Sequence, residues 1–412
     1  MIPGSGGEGQ YLDKGFGPLM VFLFNWTSIL ILKPGTVAIL SVASATYLLR
    51  MIFNIFGLSV ATDSSTGNLS SLQYTWIEKS IAIGCCLLVT LASVISVKWS
   101  MRIQSVLTLG KVGALAVIII SSVYYAIFND PSVIKENLGS PFAGSIFSLT
   151  GLALALNNGL WAYEGWNNLN IVAGSLANPA INLPLGIWIS VCLVIGLYVL
   201  TLFGYYSVLS KEAVALSTTT IGIDFGIKVF GAFGNILIPI FIIASTFSSA
   251  LSSMVTSSEV VVLAADARQI PRFFRKISPT FGTAARAYWL QGILSVILVT
   301  MMGFEGLILV YTFPAWIFYA ACVLVLLKLR WTEPEWDRPY RVFITTPILF
   351  LFACALLLVA SAIADPIPIG ISIGVVLFGI PLYYVLLFLF NDKFGSQRSV
   401  QKSEMSMVER KN

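Results

Sequence analysis

The chain has 412 residues, of which 57% are hydrophobic and 10% charged, with mean hydropathy +0.88 and a formal net charge of +5. Soluble domains average about 45–50% apolar and ~25% charged residues, so a soluble enzyme built around one core is excluded and an all-α polytopic membrane protein is predicted. Histidine is absent, which removes His-containing metal sites, Ser-His-Asp and Cys-His catalysis, and histidine pH sensing.

Residues 1–17 are polar and Gly-rich and read as a cytoplasmic N-terminal segment, without the basic-then-apolar order of a cleavable signal peptide. A transmembrane domain follows over residues 18–390. Runs of about 20 apolar residues predict ten spans, at 18–48, 77–97, 103–128, 144–172, 185–209, 230–262, 287–303, 307–327, 347–364 and 367–390. The runs are long and continuous, unlike the short alternating segments of a membrane barrel. Residues 391–412 are polar, mixed in charge and predicted to be a disordered cytoplasmic tail.

Ten spans put both termini on one side. Eighteen of the 24 Lys and Arg residues fall in the segments on that side, 5 on the other, and Lys33 inside a span. The positive-inside rule makes the terminal side cytoplasmic. The cluster Arg268, Arg272, Arg275 and Lys276 then lies on an inner loop, where anionic lipid rather than nucleic acid is the expected contact. Asn68-Leu69-Ser70 is a glycosylation sequon in the predicted first outer loop. The five cysteines, Cys85, Cys86, Cys192, Cys322 and Cys354, sit in apolar runs and do not form a secreted disulfide framework.

The fourth span carries the most polar character. Asn157-Asn158-Gly159 near its middle predicts a local break, tolerable only where backbone lines a cavity or packs on neighbours. Asn158, Gly159, Trp161, Ala162, Tyr163 and Glu164 form the candidate binding segment. Glu164, about a turn past the break, is either a site for a cationic group or proton, or an acid reached by water at the inner end. Lys111 is either a snorkelling lysine or a fixed cation where another carrier holds sodium. Lys33-Pro34-Gly35 predicts a kink in the first span. The aromatic stretch from Val310 to Tyr319 surrounds Pro314 and reads as packing, with a side-chain pocket as the minority reading.

Four motifs resemble one family. Ile2-Pro3-Gly4-Ser5-Gly6-Gly7-Glu8 is similar to the inner loop before its third helix. Gly159-Leu160-Trp161-Ala162-Tyr163-Glu164-Gly165-Trp166-Asn167 is similar to its broken sixth helix. Asn178-Pro179-Ala180-Ile181-Asn182-Leu183-Pro184 and Asp337-Arg338-Pro339-Tyr340-Arg341-Val342 are similar to two further inner loops. The chain thus resembles the L-type amino-acid transporters, the light subunits of heteromeric transporters in the amino acid–polyamine–organocation superfamily. The resemblance runs to about Phe390.

That resemblance implies an inverted-repeat transporter fold whose site lies between broken first and sixth helices. Met1 falls after the family's second helix, so the ten spans correspond to family helices three to twelve, and the helix expected to hold the substrate carboxylate lies outside the sequence. By position, the carbonyls of Trp161, Ala162 and Glu164 would receive the substrate ammonium, and the Trp161 ring would gate it. Leu32, Leu40, Tyr311, Phe313 and Trp316 would line the side-chain pocket. Lys111 matches a lysine that replaces a sodium site.

Many members have glycine at the position of Glu164, and an acid occurs in a branch carrying cationic as well as neutral amino acids. The loop between Arg50 and Lys79 has no cysteine, so a disulfide-linked heavy chain is not expected. Thr256-Ser257-Ser258 leads into Glu259 where the family often has arginine, a departure without a physical account in the sequence.

The expectation is a sodium-independent transporter of neutral and possible cationic L-amino acids, an exchanger or proton-coupled permease in the plasma membrane. The expected partners are the substrate and the bilayer, with no cofactor or metal. The alternative is a non-transporting membrane protein that senses amino acids or joins a partner. An enzyme is not expected.

Overall fold

The computed structural model describes residues 7–58, 71–141, 145, 148–171, 176–217, 220–336, 338 and 340–390. The sequon at Asn68, the 391–412 tail, residues 1–6, Asp337 and Pro339 lie outside the described residues. Among those described, the secondary structure is helical, without strands.

The chain opens with α1 (Gly7–Phe16), then α2 (Pro18–Thr27), a π-helical turn (Ser28–Leu32) and α3 (Lys33–Phe56), the last three one continuous stretch. α4 (Ser71–Ile95), α5 (Val97–Phe128), the short α6 (Pro131–Gly139), α7 (Leu149–Ala162) and a single turn α8 (Asn168–Ile171) follow. Next come α9 (Pro179–Val208), α10 (Lys211–Leu216), α11 (Ile221–Phe230), α12 (Gly234–Asp266) and α13 (Ala285–Met301). α14 (Phe304–Thr332), α15 (Thr345–Ala364) and α16 (Pro366–Phe390) complete the described chain.

Each predicted span has a helix, with edges moved by several residues. Eight helical stretches are long and apolar enough to cross a membrane. Two predicted spans are shorter: α13 has 17 residues and α7 has 14. At 1.5 Å per residue, α7 covers only ~21 Å, and turns at residues 163–167 and the single helical turn α8 follow it. The predicted N-terminal segment contains a helix, α1, whose glycines gave no helical signal. Tertiary contact holds it: Glu8 and Leu12 are buried, and Lys328 Nζ donates to the Gly15 carbonyl at 2.6 Å.

Polar caps and helix starters set several helix ends. Ser96 Oγ accepts from Trp99 N at the start of α5, and Ser148 Oγ from Gly151 N at the start of α7. Proline begins α2, α6 and α9, where its missing N–H has no partner to lose. Gly57, at φ 62°, ends α3.

The centre is formed by the α2–α3 stretch, α12 and α14. α3 packs against α4, α12, α13 and α14. The most apolar window is 67% buried for α14 and 56% for the α2–α3 stretch, against 6% for α9 and 11% for α5. The outward faces of α5 and α9 are apolar, as hydrocarbon requires of any surface it touches. α11 and α12 approach so closely that a Cβ on Gly234 would sit 1.8 Å from the Gly226 carbonyl oxygen.

Candidate functional site

Two of the central helical paths are interrupted. In the first, Lys33 N bonds to Ser28 O, giving the wider π turn just before Pro34. Such turns are inserted where a helix must widen, often at functional sites. The predicted kink is therefore a π turn, and helix resumes at once. Gln291 Nε2 donates to the Ile29 carbonyl at 3.3 Å, and Ser295 Oγ to the Pro34 carbonyl at 3.0 Å. Both side chains come from α13 and are fully buried.

The second interruption lies later than the sequence suggested. α7 runs through Asn157-Asn158-Gly159 without a break and ends at Ala162. Asn157 is 1% exposed and donates from Nδ2 to Ser361 Oγ on α15, while its Oδ1 has no partner among the described residues. The break spans residues 163–167. Gly165 makes it, at φ 113°, a conformation that a Cβ strains. Glu164 consequently sits in the break, not a turn beyond it. Here the Glu164 N–H bonds to the Trp161 carbonyl at 3.1 Å, and Tyr198 Oη to the Ala162 carbonyl at 3.3 Å. Those two carbonyls, expected to meet a substrate ammonium, thus already accept from protein groups, and the Trp161 carbonyl accepts from the Tyr163 N–H as well.

A cavity of about 420 Å³ lies between α1, the α2–α3 stretch, the α7 break, α9, α12 and α14. That is within the ~300–1,000 Å³ of small-molecule sites. Of the sequence candidates, Leu32, Leu40, Trp161, Ala162, Glu164 and Tyr311 line it. Asn158, Gly159, Tyr163, Phe313 and Trp316 do not.

Helical geometry explains the misses. On α14 the lining residues are Tyr311, Ala315, Phe318 and Tyr319, one stripe at spacings of three and four. At 3.6 residues per turn, Phe313 points about opposite to Tyr311, and Trp316 turns toward Phe350, 6.1 Å away between ring centroids. Asn158 and Gly159 are exposed, turned about 100° and 200° around α7 from Asn157, and Tyr163 packs on Tyr198 at 5.1 Å.

A polar network surrounds Glu164. Tyr319 donates its hydroxyl to Glu164 Oε1 and accepts from Asn167 Nδ2 at 3.2 Å. Asn167 Nδ2 also donates to Glu8 Oε1 at 2.7 Å. The Tyr311 hydroxyl meets both Glu164 and Thr36. Buried polar groups need such partners, and this set ties α1, α3, the break and α14 together. The Trp161 indole N–H has no partner among the described residues.

Lys111 Nζ donates to Ser249 Oγ at 2.7 Å, joining α5 to α12, and Ser249 itself lines the cavity. Charged lining groups are Glu8, Asp13, Glu164 and Glu259 against Lys14 and Lys33, an acidic surplus.

Sequence reasoning passed over Tyr319, Asn167, Glu8 and Glu259 as site residues. The (i, i+4, i+8) pattern Tyr311–Ala315–Tyr319 was available as a signal. Glu8 was not, because nothing in a Gly-rich segment announced that it folds inward. The five cysteines are free thiols.

The amino acid permease family profile matches residues 1–389. The b(0,+)-type amino acid transporter 1 of Mus musculus is 29% identical over 366 residues, 89% of this chain and 71% of that protein. The cystine/glutamate transporter of Homo sapiens is 31% identical over 392 residues, 95% of this chain and 74% of that protein. The Asc-type amino acid transporter 1 of Mus musculus is 30% identical over 390 residues, 94% of this chain and 70% of that protein. These relatives are transporters rather than enzymes, and with the apolar helices they make this an integral, multi-pass membrane protein. The chain belongs to the amino acid permease family.

Proposed function

We propose that the protein carries neutral and cationic L-amino acids across the membrane without sodium, by alternating exposure of the cavity to the two sides. The observation that carries this is Glu164, set in a helix break and facing a cavity whose charged lining is predominantly acidic. An acidic cavity attracts a guanidinium or ammonium side chain, while the apolar walls at Leu32 and Leu40 suit a neutral one. The relatives support the substrate class through their names, which include cystine, glutamate and amino acids generally.

Sodium independence rests on Lys111. Its ammonium fixes α5 to Ser249 of α12, supplying locally the positive charge that a bound cation would supply. The Arg and Lys distribution supports cytoplasmic termini, and the plasma membrane follows from the resemblance alone.

The test is uptake of labelled leucine and arginine, with sodium replaced by choline, by the wild type and by Glu164→Gln. A charge-assisted hydrogen bond contributes ~1.5–3 kcal/mol, so arginine uptake is expected to fall about tenfold to 100-fold with leucine uptake retained. Arginine uptake undiminished by the substitution would remove the role given to Glu164. Uptake that vanished in choline would remove the role given to Lys111.

A further inference from the structure

Glu259 replaces an arginine frequent in the family resembled and plays no part in the Glu164 network. It lines the cavity from α12, on a face that also carries Ser249, Ser253, Thr256, Val260 and Leu263. From Ser249 to Leu263 that face extends roughly 21 Å at 1.5 Å per residue, so the cavity is long enough for successive stations along α12. Opposite it, the π turn packs against α12, with Ile29 among Val260, Val261 and Ala264. The next residue after the π turn is Lys33, which also lines the cavity.

Lys33 lies in the field of three carboxylates, Glu8, Glu164 and Glu259, and among the described residues forms no salt bridge with any of them. No hydrogen bond reaches the Glu259 side chain from the described residues. Beside them, Ser28 is 1% exposed, lines the same cavity, and its Oγ has no hydrogen-bond partner among the described residues. A buried hydroxyl left unpaired costs free energy comparable to a lost hydrogen bond, so a solute that pairs it gains that amount. Opposite charges facing one cavity without meeting leave a gap whose two ends want opposite partners.

A solute bearing a carboxylate at one end and an ammonium at the other satisfies all three groups. We propose that Ser28, Lys33 and Glu259 form a second station for an α-amino-acid zwitterion, beside the Glu164 break in the same cavity. The carboxylate meets the Lys33 ammonium and accepts from the Ser28 hydroxyl, and the ammonium meets Glu259. The inference rests on the reading that amino acids are the substrates.

The experiment is equilibrium binding of radiolabelled leucine to the purified full chain in detergent, with leucine amide and 4-methylpentanoate as competitors that each lack one charge. The wild type is expected to bind two leucines per chain, and Glu259→Gln and Lys33→Met one each. The charge-exchanged double variant Lys33→Glu/Glu259→Lys guards against a simple folding defect and is expected to regain the second leucine. Neither competitor should displace leucine from the second station as well as unlabelled leucine does. One leucine per wild-type chain, or two retained in both single variants, would overturn the second station while leaving the Glu164 reading intact. No leucine bound by any form would overturn the substrate reading, and this station with it.

Discussion

The two interruptions of the central helices are finished differently. At the π turn, α13 supplies the partner: Gln291 donates to the Ile29 carbonyl, and Ser295 adds a bond to the Pro34 carbonyl just beyond. At residues 163–167 the partners are an acid, two tyrosine hydroxyls and an asparagine, all bordering the cavity. The first interruption is closed by protein on its α13 side and open at Ser28, Leu32 and Lys33. The second is open at Glu164, Gly165 and Asn167. A broken helix is therefore not by itself a binding feature; what decides is whether neighbouring helices or a cavity meets the freed groups.

If that contrast is right, variants of the second interruption should change selectivity, and variants of the α13 contacts that close the first should change stability. The largest effect is expected from Gly165→Ala. A Cβ at φ 113° is strained, at a cost of roughly 1–3 kcal/mol, and relief of that strain moves Glu164. Arginine uptake should fall at least tenfold while the protein remains monodisperse in detergent. An uptake ratio of arginine to leucine equal to that of wild type would mean the break geometry does not position the acid.

Gln291→Leu addresses the closed interruption. It leaves the buried Ile29 carbonyl without its donor, costing ~1–3 kcal/mol. The thermal midpoint, followed by tryptophan fluorescence in detergent, should drop by several degrees. The arginine to leucine ratio of the surviving protein should hold. A changed ratio with an unchanged midpoint would reverse the contrast between the two sites.

Tyr319→Phe is milder. It removes one hydroxyl that donates to Glu164 and accepts from Asn167, a net loss of ~0.5–1.5 kcal/mol. The arginine to leucine uptake ratio should fall about twofold to tenfold, because Glu164 keeps Tyr311 as its second partner. A full loss of arginine uptake would mean that Tyr319 does more than hold the acid.

The spans were legible in the sequence because hydrocarbon imposes one requirement on any residue it touches. Each of the ten apolar runs has a helix. Burial within the bundle was not legible. α9 and α14 have similar mean hydropathies, 2.4 and 2.0, yet one is 6% and the other 67% buried. In lipid an apolar side chain is stable on either side of a helix, so hydropathy cannot separate core from periphery.

The same limit explains the site. Glu164 was legible because a charge in a span needs a reason to be there. Asn158 and Gly159 were misread because Asn157 bonds a distant helix, α15, that no local pattern connects to it. Phe313 and Trp316 failed because an aromatic run names a helix without naming its inner face. Glu259 was noticed as a departure and gained a physical setting only when Lys33 and Ser28 came to face the same cavity.

The smallest effect is expected far from both interruptions, where it serves as a control on the contrast. Asp130 starts α6 outside the spans, accepting from Ser132 N at 3.1 Å and from the Ser132 hydroxyl. Those two bonds, the side-chain one first, hold its carboxyl below the usual aspartate range. A carboxyl whose folded value is depressed stabilises α6 above its unfolded value, and that contribution disappears as pH falls through the lower, folded one. Hydrogen exchange at the Ser132 amide should therefore lose protection on acidification below the ordinary aspartate range, near pH 3.9. Asp130→Asn keeps an acceptor but no titrating group, so its protection should stay flat across the same range. Neither form should alter the arginine to leucine ratio. An altered ratio would show that selectivity responds to helix ends far from the cavity, and the contrast between the two interruptions would lose its meaning.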